Sequence, residues 1–234
     1  MSARFEELDW RPTPLGTISL RRRREPVTGE DVYEVKLDDD FLMSSLFTVA
    51  EVEVARLALA QVSGEALDVV VGGLGLGYTA LTVLEDARVR SVEVIDAIGE
   101  VIEWHERELL PVGAALNADP RCTFVLADFF AEFGPDGSQR RHHAVIVDID
   151  HSPRHLLHPS HAEFYEPAGV RRVAQRLHPG GVYSLWSNDP PDDAYTAVLE
   201  DVFDHVAVEV VRFDNPLQER ESTNTVYVAR TRSS

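Results

Sequence analysis

The stretch Ala66-Leu-Asp-Val-Val-Val-Gly-Gly-Leu-Gly-Leu-Gly77 constrains this chain more than any other. A short β-branched apolar run bounded by a turn signal is the pattern of a strand buried on both faces of a parallel sheet. Gly73, Gly75 and Gly77 alternate behind it, so the backbone can turn sharply and approach a ligand with no Cβ in the way. A helical pattern from Tyr78 to Leu84 follows at once, and its free N–H groups and positive dipole end point into the same space. Strand, glycine turn and helix predict a holder for a small polar ligand.

Asp96 stands nineteen residues past Gly77, at the end of a second β-rich run, Val92-Glu-Val-Ile95. An acid at that place accepts hydrogen bonds from a ribose diol. Two ligand classes fit the turn itself. Gly75-x-Gly77-x-x-Ala80 matches the looser dinucleotide pattern, whereas Gly73-x-Gly75-x-Gly77 matches the alternating glycines of class I S-adenosylmethionine (SAM) enzymes.

With 234 residues the chain suits one good-sized domain with a small appendage, divided here as 1–45 and 46–234. No apolar window reaches the length of a membrane span, and the first residues lack the apolar core of a signal peptide, so cytoplasm is the expected compartment. The single cysteine, Cys122, excludes an internal disulfide and a Cys-rich zinc site. A net charge of −18 repels phosphate backbones, which argues against nucleic acid and favours the approach of cationic small molecules.

Residues 1–43 read as β-rich: strands over Leu15 to Arg22 and Val32 to Leu37 around a turn at Pro26 to Glu30, and a third, short one near Phe41 to Met43. Such a hairpin region is too small to bury its own core and must pack on the main domain or on a second subunit. Ser44 or Ser45 is the expected cap of a helix reaching Gln61. Beyond Asp96 come a helix from Ile98 to Leu109, a strand Thr123 to Ala127, a strand Ala144 to Val147, a helix Glu166 to Leu177, a strand Val182 to Trp186 and a helix Asp193 to Phe203. The alternation predicts an α/β fold, a doubly wound and mostly parallel sheet. Val206 to Phe213 and Thr225 to Ala229 have no helix between them, so they close the sheet as an antiparallel hairpin.

In a doubly wound sheet, ligands lie outside the carboxyl ends of the strands. Four successive strands end there on the glycine turn, Asp96, Asp128 and Asp148. Asp96 is expected at the ribose and Asp128 at an adenine amino group, with Phe129 against the ring. Each acid also fits the plainer role of capping the helix that follows. His151, His155, His158 and His161 cluster near Asp148 and Asp150 but match no standard ligand spacing, and no metal is expected.

As a set, the alternating glycines, Asp96, Ala127-Asp128, Leu177-x-Pro179-Gly180-Gly181 and the closing hairpin resemble class I SAM-dependent transferases. Within them the chain is most similar to the spermidine synthases, the polyamine aminopropyltransferases, over roughly residues 30 to 230. Their Gly-Gly-Gly-Asp-Gly-Gly turn is matched by Gly72 to Gly77, their Asp-Ser-Ser-Asp-Pro loop by Asp148-Ile-Asp-His-Ser-Pro153, and their Phe-Tyr pair by Phe164-Tyr165.

The resemblance implies a SAM-type or decarboxylated SAM donor held by Gly73, Gly75, Gly77, Asp96, Ala127, Asp128 and Phe129. It implies Asp148 as the base that deprotonates an amine, Asp150 or His151 as the second acid's counterpart, and substrate contacts from Tyr165, Trp186 and Asn188. It further implies a cationic amine acceptor, a place in polyamine biosynthesis and a homodimer. Three departures stand out. The family's acid in the glycine turn falls on Leu76, its N-terminal glutamine is not recognisable around Asp38 to Ser44, and Trp186-Ser-Asn188-Asp189 replaces its usual polar residues. Methyl transfer to a small molecule, and a non-catalytic nucleoside-binding or assembly protein, are therefore the alternatives. An NAD-linked oxidoreductase explains Gly75 to Ala80 but not Asp128, Asp148 or the hairpin.

Overall fold

The computed structural model of the protein describes residues 5–13, 16–26, 28–215 and 220–233. Leu15, where the second strand was expected to begin, and Val27 in the following turn lie outside them. The N-terminal part is a four-stranded antiparallel sheet in sequential order, β1 (Phe5–Thr13), β2 (Gly16–Arg24), β3 (Asp31–Leu37) and β4 (Asp40–Ser44). β1 is absent from the sequence reading because it is polar along most of its length and carries Pro12. An edge strand tolerates both. β1 is held by charge: the Trp104 indole donates to Asp9 Oδ2 at 2.6 Å, and the Arg11 guanidinium clasps Glu103 at 2.5 and 2.8 Å.

Helix α1 (Val49–Gln61) begins later than expected. Ser45 Oγ accepts from Tyr33 N and Ser44 Oγ from Leu46 N, so both hydroxyls serve the turn out of β4 instead of a helix cap. The second sheet then alternates strand and helix through β5 (Leu67–Gly72), α2 (Tyr78–Glu85), β6 (Val89–Asp96), α3 (Gly99–Glu106), α4 (Gly113–Ala118), β7 (Cys122–Leu126), α5 (Phe129–Glu132) and β8 (His142–Val147). A 3-10 turn (Pro159–His161) leads into α6 (Ala162–Tyr165), α7 (Pro167–Gln175), β9 (Leu177–Ser187), α8 (Asp193–Glu200), β10 (His205–Asn215) and β11 (Arg220–Arg230).

The expected helix to Leu109 stops at Glu106, where Glu108 turns left-handed at φ 56°, and α4 follows as a separate element. β9 starts at Leu177 and runs through Pro179-Gly180-Gly181, which shifts the register inside the strand instead of turning the chain before it.

The sheet order is β10-β11-β9-β8-β5-β6-β7, parallel from β9 to β7, with β11 antiparallel to both β9 and β10. This is the doubly wound, mostly parallel sheet with a closing hairpin that the alternation predicts. Period-two alternation sends Val69 and Val71 of β5 into one core and Val70 into the other. The first core also contains Ile18, Leu20 and Val35, so the N-terminal sheet packs directly on the main one.

Candidate functional site

The glycine turn is fixed by contacts that exclude side chains. Gly73, Gly75 and Gly77 all have positive φ, at 90°, 48° and 89°. A Cβ on Gly73 would lie 2.2 Å from the Asp148 carbonyl oxygen, and one on Gly77 would lie 2.6 Å from Val112 and 2.7 Å from His105. One glycine therefore lets the end of β8 close on β5, and another lets α3 and α4 pack on the turn. His105, which no motif or spacing singles out, is buried in α3 with Nε2 2.9 Å from the Gly75 carbonyl. A carbonyl only accepts, so Nε2 carries the proton, and burial lowers the imidazole pKa and keeps it neutral.

Asp96, at the end of β6, also serves the turn. Its Oδ2 accepts from Leu74 N and its Oδ1 from Ile98 N, both at 2.8 Å. Burial raises its pKa, and these backbone donors oppose that rise. A carboxylate has about four acceptor positions, and Gly75 N is a third backbone donor to this one, so about one position is left for a further donor.

A cavity of about 680 Å³ opens in front of the turn, lined by Gly75 to Thr79, by the segment around Met43 and by the start of β11. Its size lies within the usual range for small-molecule sites. Leu74 and Leu76 form part of its wall and leave it open. At Gly75 an added Cβ would stand 3.1 Å from the Met43 sulfur, so glycine keeps the space between turn and β4 clear.

Two of the carboxyl groups in this lining act on one another. Asp148 follows β8, and its Oδ2 accepts from the Thr79 hydroxyl at 2.8 Å. The second is Glu51, in the first turn of α1. Burial pushes the Asp148 carboxyl up to about 6, against the lowering effect of Thr79. Burial, and then the charge of Asp148, pushes Glu51 up to about 8. Two neighbouring acids with little exposure cannot both ionise cheaply, so near neutral pH the pair holds one proton and one negative charge. Glu51 escapes sequence reading because it lies 97 positions from Asp148 on an ordinary helix.

The remaining expected site residues separate into two groups. His151, Trp186 and Asn188 line the cavity with Asp148 and the turn. Asp150, Tyr165 and Phe129 do not line it; they are buried elsewhere. Asp150 is 1% exposed and accepts from Tyr165 Oη at 2.9 Å, from His161 Nδ1 and from Leu157 N, which fastens the loop after β8 to α6. This engagement makes Asp150 an anchor of the loop rather than a second acid in the cavity.

Phe129 packs on Phe133 and Phe164, and its ring occupies the place of any Cβ on Gly72. Asp128 is exposed and caps α5 through Phe130 N and Ala131 N, its neighbour Ala127 being half-buried. The histidine cluster disperses: His161 bonds Asp150, His155 bonds Asp189 at 2.7 Å, and His158 bonds the Ser160 hydroxyl. Asp192 caps α8 through Ala194 N and Tyr195 N. No helix among the described residues is long and apolar enough to cross a membrane.

No family model matches the chain. A stretch of 101 residues is 37% identical to the UDP-3-O-acylglucosamine N-acyltransferase of Alcanivorax borkumensis, but it takes in 41% of this chain and only 30% of that protein. Solved structures are similar over nearly the whole length. The spermidine synthase of Thermotoga maritima superposes with a TM-score of 0.73 at 17% identity, covering 97% of this chain and 73% of that one. A spermidine synthase in complex with the transition-state analogue AdoDATO gives 0.74 at 18% identity, covering 97% and 74%. A probable spermidine synthase from Corynebacterium glutamicum gives 0.65 at 16%, covering 96% and 79%. The chain thus has the fold of the spermidine synthases, a class I SAM-methyltransferase-like α/β sheet preceded by a small antiparallel one.

Proposed function

We propose that this protein is a transferase that binds a SAM-type sulfonium nucleoside, decarboxylated SAM in the leading reading, and moves its aminopropyl group to an amine. The observation that carries the proposal is the Glu51–Asp148 pair in a cavity beside the glycine turn. The residues of the cavity fit such a donor: the turn keeps a Cβ-free space at Gly75, and the pair supplies negative charge for a sulfonium.

The chain's own groups then have distinct tasks. Asp148, ionised near neutral pH and oriented by Thr79, accepts the proton released by the amine. The amine nitrogen forms a bond to the aminopropyl carbon while the carbon–sulfur bond breaks, and that bond's electron pair stays on sulfur. The walls hold the reactants in line and exclude water. Glu51 retains its proton and keeps the local charge at one.

Replacing Asp148 by Asn is expected to lower turnover with decarboxylated SAM by about 10²–10⁴-fold, the usual contribution of a positioned base. Binding of methylthioadenosine, measured by calorimetry, should persist. Full turnover by this variant would remove Asp148 from the proposed role. Methyl transfer is the second reading, favoured by Leu76 at the position of the family's turn acid, where the donor's amino group loses a partner. Tighter binding of SAM than of decarboxylated SAM would select it.

A further inference from the structure

The backbone amides of the glycine turn are almost all engaged within the protein. Gly73 N donates to the Ile95 carbonyl at 2.9 Å, Gly77 N to the Leu74 carbonyl at 2.8 Å, and Leu74 N and Gly75 N to the Asp96 carboxylate. Of the five amides from Gly73 to Gly77, Leu76 N alone has no partner among the described residues. The peptide that carries it joins Gly75 to Leu76. Glycine at 75, with φ 48°, lets that peptide turn over at little cost, because no Cβ limits the rotation.

The carbonyl of the same peptide is held from behind. His105 Nε2 donates to Gly75 O at 2.9 Å from a fully buried ring. That ring is itself fixed. It stands beside Phe124 with centroids 5.8 Å apart, and with Val112 and Leu116 it closes around Gly77, where an added Cβ would meet all three within 2.8 Å. The His105 backbone is tied as well: its carbonyl accepts from Glu108 N at 2.9 Å and from Asn117 Nδ2 at 2.8 Å, which joins α3 to α4. His105 Nδ1 is buried without a partner among the described residues, so the ring's one hydrogen bond is the one to Gly75.

No peptide among the described residues is cis, and a trans peptide points its C=O and N–H in opposite directions. Gly75 and Leu76 line the cavity, and His105 does not. We propose that His105 is a positioning residue for ligand binding: it latches the Gly75–Leu76 peptide so that the Leu76 N–H faces the cavity, as donor to an acceptor atom of the ligand. Without the latch the peptide turns over, and a carbonyl oxygen that repels the same acceptor takes the place of the N–H. That the ligand is a sulfonium nucleoside rests on the transferase reading above; the latch does not.

Two substitutions separate the donor from the bulk of the ring. Gln carries an amide N–H about where Nε2 stands, whereas Leu fills the apolar surroundings and donates nothing. Affinity of the full chain for methylthioadenosine, measured by calorimetry at pH 8, is expected to fall at least about tenfold in His105→Leu and to stay within about threefold of the parent in His105→Gln. Thermal unfolding shows whether both variants are folded. Parent-like binding by folded His105→Leu overturns the proposal. Equal losses in the two variants also overturn it, and leave His105 a packing role alone.

Two further measurements need no ligand. Amide hydrogen exchange at Gly75 and Gly77 should be at least about tenfold faster in His105→Leu and parent-like in His105→Gln. In the parent, NMR should find the His105 ring proton on Nε2 and slow to exchange with water, a measurement that stands even if His105→Leu does not fold. A ring proton on Nδ1, or parent-like amide exchange in His105→Leu, overturns the latch. Should the parent fail to bind methylthioadenosine while these two results hold, it is the transferase reading that falls.

Discussion

Two regions of the cavity lining are held in place by different means. At the glycine turn, geometry is set by backbone: three positive φ angles, carbonyl and amide contacts to β6 and β8, and one buried imidazole on the Gly75 carbonyl. Around β4 and the β10–β11 tip it is set by side chains, several of them partly exposed, such as Phe41 at 50%. The first region therefore tolerates almost no change, and the second can vary in chemistry without disturbing the fold.

The sharpest way to break this contrast is a pair of small substitutions. Gly73→Ala puts a methyl group 2.2 Å from a backbone oxygen at φ 90°, and neither term relaxes without moving the end of β8. The expected cost is about 2–5 kcal/mol from left-handed strain and overpacking. Phe41→Ala should change stability by less than about 0.5 kcal/mol, as surface substitutions do. Urea denaturation of the two variants decides it: similar losses would show that the wall is as constrained as the turn.

The same contrast governs what could be read from sequence. The strand, glycines and helix of the turn are contiguous, and the positions after β6, β7 and β8 follow from topology, so Asp96, Asp128 and Asp148 fall at successive strand ends as expected. Their partners are not contiguous. Glu51 meets Asp148 only because α1 lies on the same face of the sheet as α2, and no periodicity announces that. His105 looks like any polar residue late in a helix until Gly77 is seen packed on its ring. Asp150 and Tyr165 carry the motif's residue types but point at one another, a pairing that sequence order cannot reveal. β1 has no signature in the sequence because ion pairs across an edge, not an apolar stripe, hold it.

The acid pair belongs to both regions, and its protonation gives an intermediate effect. A carboxyl whose folded pKa is raised stays protonated in the native state when the unfolded chain has lost the proton. Stability therefore falls as pH rises from about 4.5 towards about 8 through Glu51. Glu51→Gln removes that penalty while keeping the shape. The variant is expected to match the parent near pH 4.5 and to exceed it by on the order of 1–3 kcal/mol above pH 8. Thermal unfolding across this range checks it, and a variant less stable at every pH would mean that the Glu51 carboxylate is a structural ion after all.

Thr79 provides the finest measurement, because it links the helix of the turn to the carboxylate proposed as the base. Its hydroxyl stands 2.8 Å from Asp148 Oδ2 and 3.2 Å from the Glu51 carbonyl oxygen, and its single proton favours the charged carboxylate. Thr79→Val preserves the shape and deletes the donor. Hydrogen bonds to charged groups contribute about 1.5–3 kcal/mol, so the Asp148 pKa should rise by roughly one pH unit and the acid limb of kcat/KM with it. At pH 6 the variant then loses about fivefold in rate, and at pH 9, where both acids are ionised in either protein, the difference closes. A uniform loss at all pH values would instead mean that Thr79 acts by positioning α2 against the turn, with no influence on the titration of Asp148.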